Sequence, residues 1–586
     1  MCGIVYKSNF YTNTDEKKFI DAVNTLSDRG PDDYGYLFIK NHSFGHRRLE
    51  IRDIENSKQP MSIMNHHLVY NGEIYNVDEL KELLNEELEY ESDTLLLLKL
   101  LMKYGESILN KINGIFSFVY TNKDDVLIVR DMFGIKPLYY TYINNDIFVA
   151  SEIKAILSYT NNRVIDSDGL KELIGMGPSH SLGKTIYKGI YELKPGHLIK
   201  INKEKKEIKE YYKLPVYKYE ESYEDTVLKV KTLIDKVIKR QMVADVDVCC
   251  FLSGGLDSSI VSKMVSDNQD CLDTYSIIYK DSSFKENEFE KSLDSEFTNI
   301  VSSYIYSHQN DVYITDDELI NHLHKTVKIK DGPNMTDIDS SLYHICDVIS
   351  DKHKLAMSGE CADELFGGYP WYKNDFNTFP WMKDLSLKDS LLNDKYRKKL
   401  KIKEYVKEEY DKAILEAPVL DNNDNHRILT YLNIKYFMLS LLDRKDRISS
   451  SVGLEVRVPF CDRELVEFLY NVPYEYKCKD GIEKKLLRDA YKNDLPLEII
   501  ERKKSPYPKS NSNKYDEMIK NLLIKVLEDK DSILYEIFDI DKLYELINSE
   551  EEISPWYGQL MRKTALLTYL YQIDYWFKEY EMRLEE

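Results

Sequence analysis

Short apolar runs separated by turn residues dominate the first part of the chain. The runs HLVYNGEIY, GIFSFVYT, DVLIVRD and DIFVASE have the length and composition of strands. Between them, VDELKELLNEE and SDTLLLLKLLMKYG have helical spacing, and Ser92 and Asp93 are candidate caps of the second helix. The pattern predicts a β-rich domain with short helices over residues 2–202.

The pattern changes after a charged, tyrosine-rich stretch, which we interpret as a linker over residues 203–222. In the second domain, residues 223–586, long helices alternate with the buried runs VDVCCFLS, LDTYSIIYK, NDVYITD and KLAMS. This alternation predicts a parallel sheet with helices on both faces. From about Tyr369 the chain is mostly helical, and NDKYRKKLKIKEYVKEEYDKA predicts a pair of amphipathic helices.

Composition narrows the class of protein. The 586 residues carry a formal charge of −21, which argues against nucleic-acid or anionic-membrane partners. The best membrane candidate, TLLLLKLLMKYG, is short and contains Lys99, and the amino terminus lacks the pattern of a secretory signal. The eight cysteines include no CxxC pair, which is typical of reduced thiols. We therefore expect a cytoplasmic protein.

The stretch DVCCFLSGGLDSSIVSKMVS predicts an anion-binding turn. A strand runs into Ser253, Gly254 and Gly255, and a helix follows at once. Glycines let the backbone approach an anion closely, and the N–H groups of a first helical turn attract it. The alternative is an ordinary strand–turn–helix link. The Walker pattern GxxxxGK[ST] is absent, so the usual apparatus for γ-phosphoryl transfer is missing.

A second strand end, KLAMSGECADELFGGY, carries acids. Glu360, Asp363 and Glu364 would share one face of a helix. Acids at a helix start commonly just complement its dipole. Glycines on both sides favour instead a close approach of backbone to ligand, and magnesium needs only one or two carboxylates besides phosphate oxygens.

At the other end of the chain, MCGIV places a thiol at position two. If Met1 is removed, Cys2 carries a nucleophile and a free α-amine on one residue, although a small buried hydrophobe is the commoner role. GHRRLEI offers an arginine for bidentate carboxylate binding. YNGEIYN offers a side-chain amide, a glycine N–H and an acid in succession, which suits an oxyanion site.

These segments, with SDRGPDDYG and RDMFGIKPLYY, resemble the class II glutamine amidotransferase domain of N-terminal-nucleophile (Ntn) hydrolases, and SGGLDSS resembles the PP-loop of ATP pyrophosphatases, which cleave ATP between the α- and β-phosphates. In that order, the two halves resemble the glutamine-hydrolysing asparagine synthetase family over essentially the whole chain. The resemblance implies an αββα sandwich followed by a PP-loop parallel sheet, one α+β and one α/β domain.

The resemblance also implies roles for individual residues. In the first domain the implied nucleophile is Cys2, and the implied oxyanion donors are Asn71 and Gly72. Arg48 would bind the carboxylate of glutamine, and Glu73 and Asp93 would bind its ammonium group. In the second domain the implied ATP and pyrophosphate ligands are Ser253, Gly254, Gly255, Asp257, Ser258, Ser259, Ile277, Ile278, Ser358 and Gly359. The implied magnesium ligands are Asp257, Glu360 and Asp363. The implied acceptor ligand is Glu364, and the implied catalytic lysine is Lys484. Lys485 is the alternative to Lys484, and Ile277 and Ile278 are also ordinary strand core.

The implied reaction uses glutamine, ATP, Mg²⁺ and aspartate, with a β-aspartyl adenylate as intermediate. The family commonly has glycine where this chain has Cys361 and leucine where it has Cys461. Amidation of another carboxylate, such as meso-diaminopimelate of cell-wall precursors, therefore stays as the nearest alternative. A non-catalytic glutamine or nucleotide sensor is the second. A phosphoribosyl amidotransferase would lack the SGGLDSS loop. The sequence leaves the oligomeric state open, with a homodimer as one option.

Overall fold

The computed structural model describes residues 2–123, 125–281, 294–373, 376–421, 423–551 and 553–585. The strands within these ranges are β1 Gly3–Ser8, β2 Asp33–Ile39, β3 His42–Arg48, β4 Met61–Ile63, β5 His66–Ile74, β6 Gly114–Asn122, β7 Asp125–Arg130, β8 Tyr139–Ile143, β9 Asp146–Ala150, β10 Val164–Ile165, β11 Tyr191–Glu192, β12 His197–Ile201, β13 Lys206–Glu210, β14 Val248–Phe251, β15 Asp273–Tyr279, β16 His308–Ile314, β17 Leu355–Met357, β18 Glu455–Arg457 and β19 Arg583–Leu584.

The α-helices of the same ranges are α1 Glu16–Asn24, α2 Val77–Leu84, α3 Asp93–Tyr104, α4 Ile153–Thr160, α5 Ser167–Leu170, α6 Tyr223–Gln241, α7 Leu256–Ser266, α8 Asp294–Ile305, α9 Asp316–Lys330, α10 Asp337–Ser350, α11 Ala362–Phe366, α12 Leu385–Leu391, α13 Asp394–Leu400, α14 Ile402–Glu416, α15 Asn425–Leu432, α16 Met438–Ser450, α17 Arg463–Asn471, α18 Tyr474–Lys477, α19 Lys485–Tyr491, α20 Leu497–Glu501, α21 Asn513–Glu528, α22 Ile533–Ile537, α23 Ile540–Asn548 and α24 Lys563–Glu579.

The first domain is the predicted αββα sandwich. Two six-stranded antiparallel sheets, ordered β11-β8-β9-β1-β3-β2 and β13-β12-β7-β6-β5-β4, lie face to face. Because side chains alternate along a strand, every second residue of the central strands is buried between the sheets; these include Ile4, Tyr6, Phe44, Val69, Val119, Ile128 and Val149. Helices α1 and α4 cover the outer face of the first sheet, and α3 covers that of the second. Ser92 caps α3 by accepting from Leu95 N, as predicted.

The second domain contains the predicted parallel sheet, in the order β16-β15-β14-β17-β18. Helices α7 and α8 lie on one face and α10 and α16 on the other. The adjacent cysteines of β14 point to opposite faces, so Cys249 packs with Leu342 and Ile448 while Cys250 joins the core on the other side. In such sheets ligands bind at the carboxyl ends of the strands, and β14 and β17 bring the SGGLDSS turn and the acidic turn to that edge.

Two details of the organisation differ from prediction. Residues 206–210, assigned to the linker, form β13 and pair with β12, so the sandwich continues past residue 202. The strand β18 was missed because it lies in a region that reads as helical. It is only three residues long, and it is fully buried because the first domain covers this edge of the sheet. The predicted pair of amphipathic helices is confirmed as α13 and α14.

Buried ion pairs join the domains. Arg29 donates to Asp446 at 2.6 Å, and Arg447 lies 3.2 Å from Glu152. At the far end of the chain, β19 pairs in parallel with β10. These contacts fix the two domains relative to each other. Among the described residues, no helix is both long enough and apolar enough to cross a lipid bilayer.

Candidate active sites

All the residues predicted for the first site except Asn71 line one small cavity, the Cys2 pocket, and Asn71 contacts Cys2 beside it. The pocket is lined by Cys2, Arg48, Leu49, Ile51, Arg52, Ser57, Gln59, Tyr70, Gly72, Glu73, Asp93, Thr94 and Glu455. Cys2 precedes β1 at the centre of the first sheet, and β5 brings residues 71–73 beside it. Burial raises the pKa of the Cys2 thiol above its ordinary value. The resting thiol is therefore protonated at neutral pH and needs a base.

Asn71 is the clearest sign of a catalytic arrangement. Its Oδ1 accepts from the backbone N of Cys2 at 2.9 Å, so the amide is fixed next to Cys2. Its Nδ2 is buried and has no hydrogen-bond partner among the described residues. An unsatisfied buried donor costs about 1–3 kcal/mol. That cost is explained if a ligand oxygen accepts the bond, as an oxyanion would.

Gly72 is required at its position by close packing. A Cβ there would lie 2.2 Å from Ile115 O on the neighbouring strand β6. Any larger residue would push β5 and β6 apart and displace Asn71. Gly72 therefore lines the Cys2 pocket with backbone alone.

The charged walls of the pocket agree in part with prediction. Arg48 lines it, but its guanidinium already donates to Ile54 O at 2.8 Å and to Asp53 O at 2.7 Å. Asp93, the first residue of α3, accepts from Tyr70 Oη at 3.0 Å. Burial raises the pKa of Asp93, and it raises that of Glu73 to about 8 despite nearby Arg457. A cation bound beside a buried carboxyl group stabilises its ionised form and so lowers its pKa. The raised pKa values of Glu73 and Asp93 therefore fit a site that binds a cationic ligand.

Sequence reasoning missed two of the charged residues in this pocket, Arg52 and Glu455. Arg52 lies in the loop after β3, and the neighbouring Arg48 offered no reason to prefer a second arginine. Glu455 comes from β18 of the second domain. No local signal could have assigned Glu455 to this site, because the contact depends on how the domains pack.

The second site is a cavity of about 300 Å³ at the carboxyl ends of β14, β15 and β17, here called the C-edge cavity. From the predicted ATP set it is lined by Ser253, Gly255, Asp257, Ser258, Ile277, Ser358 and Gly359. The helix α7 begins directly after Gly255, so its first-turn N–H groups face this space. This geometry fits a bound phosphate.

Two glycines shape the C-edge cavity through close contacts. Gly254 has φ +67°, and a Cβ there would lie 2.5 Å from Phe297 Cβ at α8. A Cβ on Gly359 would lie 2.6 Å from Ser258 N, so the acidic turn and the SGGLDSS turn touch backbone to backbone. Gly254 does not line the cavity. It permits the turn instead.

Three other predicted residues do not line the cavity. Ile278 lies next to Ile277 on β15, and adjacent strand residues face opposite sides. Ser259 is fully buried and donates to Gly255 O at 2.7 Å, where it supports the turn. Glu364 is 1% exposed and accepts from Tyr369 Oη at 2.6 Å. Burial raises the pKa of Glu364 to about 7. It is Tyr369 that faces the cavity.

Lys484, rather than Lys485, reaches the site. Lys484 Nζ lies 2.6 Å from Asp257 Oδ2 and 2.5 Å from Asp363 Oδ1, whereas Lys485 pairs with Asp489 outside the cavity. Burial alone would lower the pKa of Lys484, but the two carboxylates raise it. Lys484 therefore stays charged beside the anion-binding turn.

The three predicted magnesium ligands are split between two groups. Asp257 and Asp363 share Lys484, while Glu360 lies 3.3 Å from Arg444 and 3.2 Å from Lys445. No cluster of three potential ligands that could hold a metal by itself occurs in the described residues. Asp257 Oδ1 and Glu360 Oε2 are buried without a hydrogen-bond partner there. These oxygens fit a magnesium ion that takes its remaining ligands from phosphate and water.

Several cations of the C-edge cavity were not predicted. They are Arg444, Lys445, Arg488, Arg502, Lys503 and Lys504. Lys504 donates to Asp363 at 2.8 Å, and Arg502 donates to Ser253 O at 3.0 Å. The basic run RKKSPYPK was the available signal for three of them. Residues 557–561 also line the cavity, from more than fifty positions farther along the chain.

Comparison with known proteins places the chain in a family. The family model "Asparagine synthase" matches residues 229–578, and "Glutamine amidotransferase domain" matches residues 1–212. "Asparagine synthetase [glutamine-hydrolyzing] 3" of Bacillus subtilis is 38% identical and covers all of both chains. "Asparagine synthetase [glutamine-hydrolyzing] 1" of the same organism is 29% identical, over 89% of this chain and 90% of its own. "Amidase chry2" of Gibberella zeae is 27% identical, over 86% and 88%. The chain belongs to the asparagine synthase family.

Proposed function

We propose that the protein makes asparagine from aspartate, using glutamine as the nitrogen donor and ATP as the activating agent. Glutamine, aspartate, ATP and water would give asparagine, glutamate, AMP and pyrophosphate. The observation that carries this proposal is Asn71 Nδ2, an unsatisfied buried donor held beside Cys2, in a chain that also builds a cationic cavity of about 300 Å³. The family relationship supports the same pairing of reactions.

In the Cys2 pocket, removal of Met1 would convert the backbone nitrogen of Cys2 into an α-amine. This amine takes the thiol proton, and the sulfur attacks the glutamine side-chain carbonyl. Asn71 Nδ2 and the Gly72 N–H donate to the developing oxyanion. Ammonia leaves, and water then hydrolyses the thioester to release glutamate. Glu73 and Asp93 bind the ammonium group of glutamine, and Arg48 binds its carboxylate.

In the C-edge cavity, the acceptor carboxylate attacks the α-phosphate of ATP and pyrophosphate leaves. Ser253, Gly255 and Ser258 bind the phosphates at the start of α7. Lys484 neutralises charge that develops on them. Mg²⁺, when bound, supplies further positive charge to the pyrophosphate, and Asp257, Glu360 and Asp363 would hold it. Ammonia then attacks the acyl adenylate and displaces AMP.

A second candidate is amidation of a carboxylate other than aspartate. It is favoured by the position of Glu364, which was expected to bind the amine of the acceptor. Glu364 is instead buried behind Tyr369 and does not reach the cavity. With its pKa near 7, Glu364 is also about half protonated at neutral pH. The adenylation steps would be unchanged, and only the acceptor would differ.

The test is to incubate the purified protein with glutamine, Mg-ATP and either aspartate or meso-diaminopimelate, and to identify the products by mass spectrometry. The proposal expects asparagine, together with AMP and pyrophosphate in equal amounts. Amidated diaminopimelate without asparagine would establish the second candidate. ADP and inorganic phosphate in place of AMP would contradict both. A Cys2→Ala variant should lose activity with glutamine yet keep it with ammonium salts.

A further inference from the structure

The strand β18 contacts both sites. It is the edge strand of the parallel sheet, and its first residue, Glu455, lines the Cys2 pocket. Its third residue, Arg457, pairs with Met357 at the end of β17 and accepts a hydrogen bond from Ser358 N at 3.0 Å. Ser358 in turn lines the C-edge cavity. Arg457 therefore contacts a lining residue of each cavity. Its backbone contacts Ser358 of the C-edge cavity, and its side chain contacts Glu73 of the Cys2 pocket.

The guanidinium of Arg457 is held firmly and points at Glu73. Its Nη1 donates to Gln241 O at 2.6 Å and to Val243 O at 2.8 Å, and its Nε donates to Glu455 at 2.8 Å. The remaining nitrogen, Nη2, lies 3.3 Å from Glu73 Oε1. Arg457 is 1% exposed, and Nη2 makes no hydrogen bond among the described residues. The ion pair with Glu73 is therefore its available interaction.

We propose that Arg457 is a positioning residue of the glutamine site, supplied by the second domain. It favours the ionised form of Glu73 and orients this carboxylate to bind the ammonium group of glutamine, and its backbone ties that arrangement to Ser358 in the C-edge cavity. This inference rests on the proposed function, in which Glu73 binds glutamine. It adds a residue that the amidotransferase domain does not contain.

The charges around Glu73 determine the expected pH behaviour. Besides Arg457 and Glu455 on β18, they are Asp93 at the start of α3 and Arg52 in the loop after β3. Arg457 lowers the pKa of Glu73, while burial, Asp93 and Glu455 raise it. Removing Arg457 therefore raises the pKa of Glu73 further. Because only the ionised carboxylate attracts ammonium, glutamine binding would then require a higher pH.

The experiment compares Arg457→Met with Arg463→Met in the full-length protein. Arg463 also joins the domains, donating to Asn110 O at 2.9 Å, but it does not touch Glu73. Arg457→Met should raise the KM for glutamine about tenfold or more, with a smaller change in kcat. KM for glutamine should decrease as the pH rises, and the pH of this decrease should be roughly 1 unit higher in Arg457→Met than in the unaltered protein. The reason is that a close opposite charge shifts a carboxyl pKa by about 1–3 units. Arg457→Lys should restore part of the loss.

A second measurement tests the link to the C-edge cavity. Glutaminase activity is followed with and without Mg²⁺ and α,β-methylene ATP, an analogue that resists cleavage between the α- and β-phosphates. The KM for glutamine should change about fivefold or more on addition of the analogue in the unaltered protein. It should not change in Arg457→Met. Activity with ammonium salts reports whether each variant is folded.

The outcomes separate the two proposals. If Arg457→Met and Arg463→Met have the same KM and the same pH profile, Arg457 is merely structural and the inference is wrong. If KM and pH profile shift but the analogue still acts on Arg457→Met, the link to Ser358 is wrong. If the unaltered protein hydrolyses no glutamine, the proposed function itself fails, and the inference with it.

Discussion

The Cys2 pocket and the C-edge cavity have opposite electrostatic designs. In the first, buried Glu73 has a pKa raised to about 8 and the pKa of Asp93 is raised as well. In the second, Lys484 and Lys504 lower the pKa of Asp363, although burial opposes them. One site presents carboxylates in need of a cation. The other brings its own cations, which suits a substrate carrying several phosphate charges.

The two sites also differ in how their residues are distributed along the sequence. Apart from Glu455, the Cys2 pocket is built from residues 2–94. The C-edge cavity draws on segments between residues 251 and 561. Several short sequence patterns, close together in the chain, describe most of the first site. Such patterns describe only the anion-binding turn of the second.

The largest expected effect comes from removing the central cation of the C-edge cavity. Lys484→Met leaves Asp257 and Asp363 without the charge they share, and it leaves the phosphates without their buried lysine. Pyrophosphate release should fall about 1,000-fold with either glutamine or ammonia as nitrogen source, in the range found when a preorganised charge is lost. A coupled pyrophosphate assay measures it.

The matched control for this prediction is Lys485→Met. Lys485 is the next residue, and its ion pair with Asp489 lies outside the cavity. Its removal should change the rate by less than about twofold. Equal losses in the two variants would show that the assignment of Lys484 is wrong.

These contrasts explain what the sequence could predict. The strands of the sandwich and the helix beginning at Asp93 were predicted because hydrophobic period and capping residues are local signals. The strand β18 was not, since its burial comes from the other domain. For Ile278 the signal was available, because adjacent residues of a strand cannot both face one cavity.

Glu364 shows a different limit. The spacing of Glu360, Asp363 and Glu364 suggested one shared helical face. In the structure α11 spans only five residues, and Glu360 precedes it. Tyr369, five positions after Glu364, donates a hydrogen bond to the Glu364 carboxylate. Which acid of such a cluster faces a ligand depends on tertiary contacts rather than on spacing.

A smaller effect is expected in the Cys2 pocket. Asn71→Ala removes the unpaired Nδ2 donor and should lower kcat for glutamine hydrolysis about 100-fold. Measured with ammonium salts, synthesis should be unchanged, because the C-edge cavity is untouched. A parallel loss with both nitrogen sources would mean that Asn71 supports the fold and not the oxyanion. Comparison with Lys484→Met, which affects both sources, thus separates the two sites.

The smallest expected effect tests the role of pairing itself. Lys388 on α12 is buried like Lys484, at 4% and 3% exposure. It forms no ion pair with any carboxylate that the structure describes, and it donates to Gly175 O at 2.7 Å. Burial lowers the pKa of Lys388 to about 7, although the charge of Asp384 acts in the opposite direction. Above that pH the folded protein holds Lys388 neutral, whereas the unfolded chain still binds the proton up to about pH 10.4.

Between those two values the unfolded state binds more protons, so the contribution of Lys388 to stability increases with pH. Lys388→Met removes this increase. From pH 7.5 to 9.5, the unaltered protein should gain on the order of 2 kcal/mol in unfolding free energy relative to the variant. Thermal midpoints measured across this range test it, with the exposed Lys407→Met on α14 as control. A difference between unaltered protein and Lys388→Met that stays constant with pH would show that Lys388 remains charged in the fold, as Lys484 does with its two carboxylates.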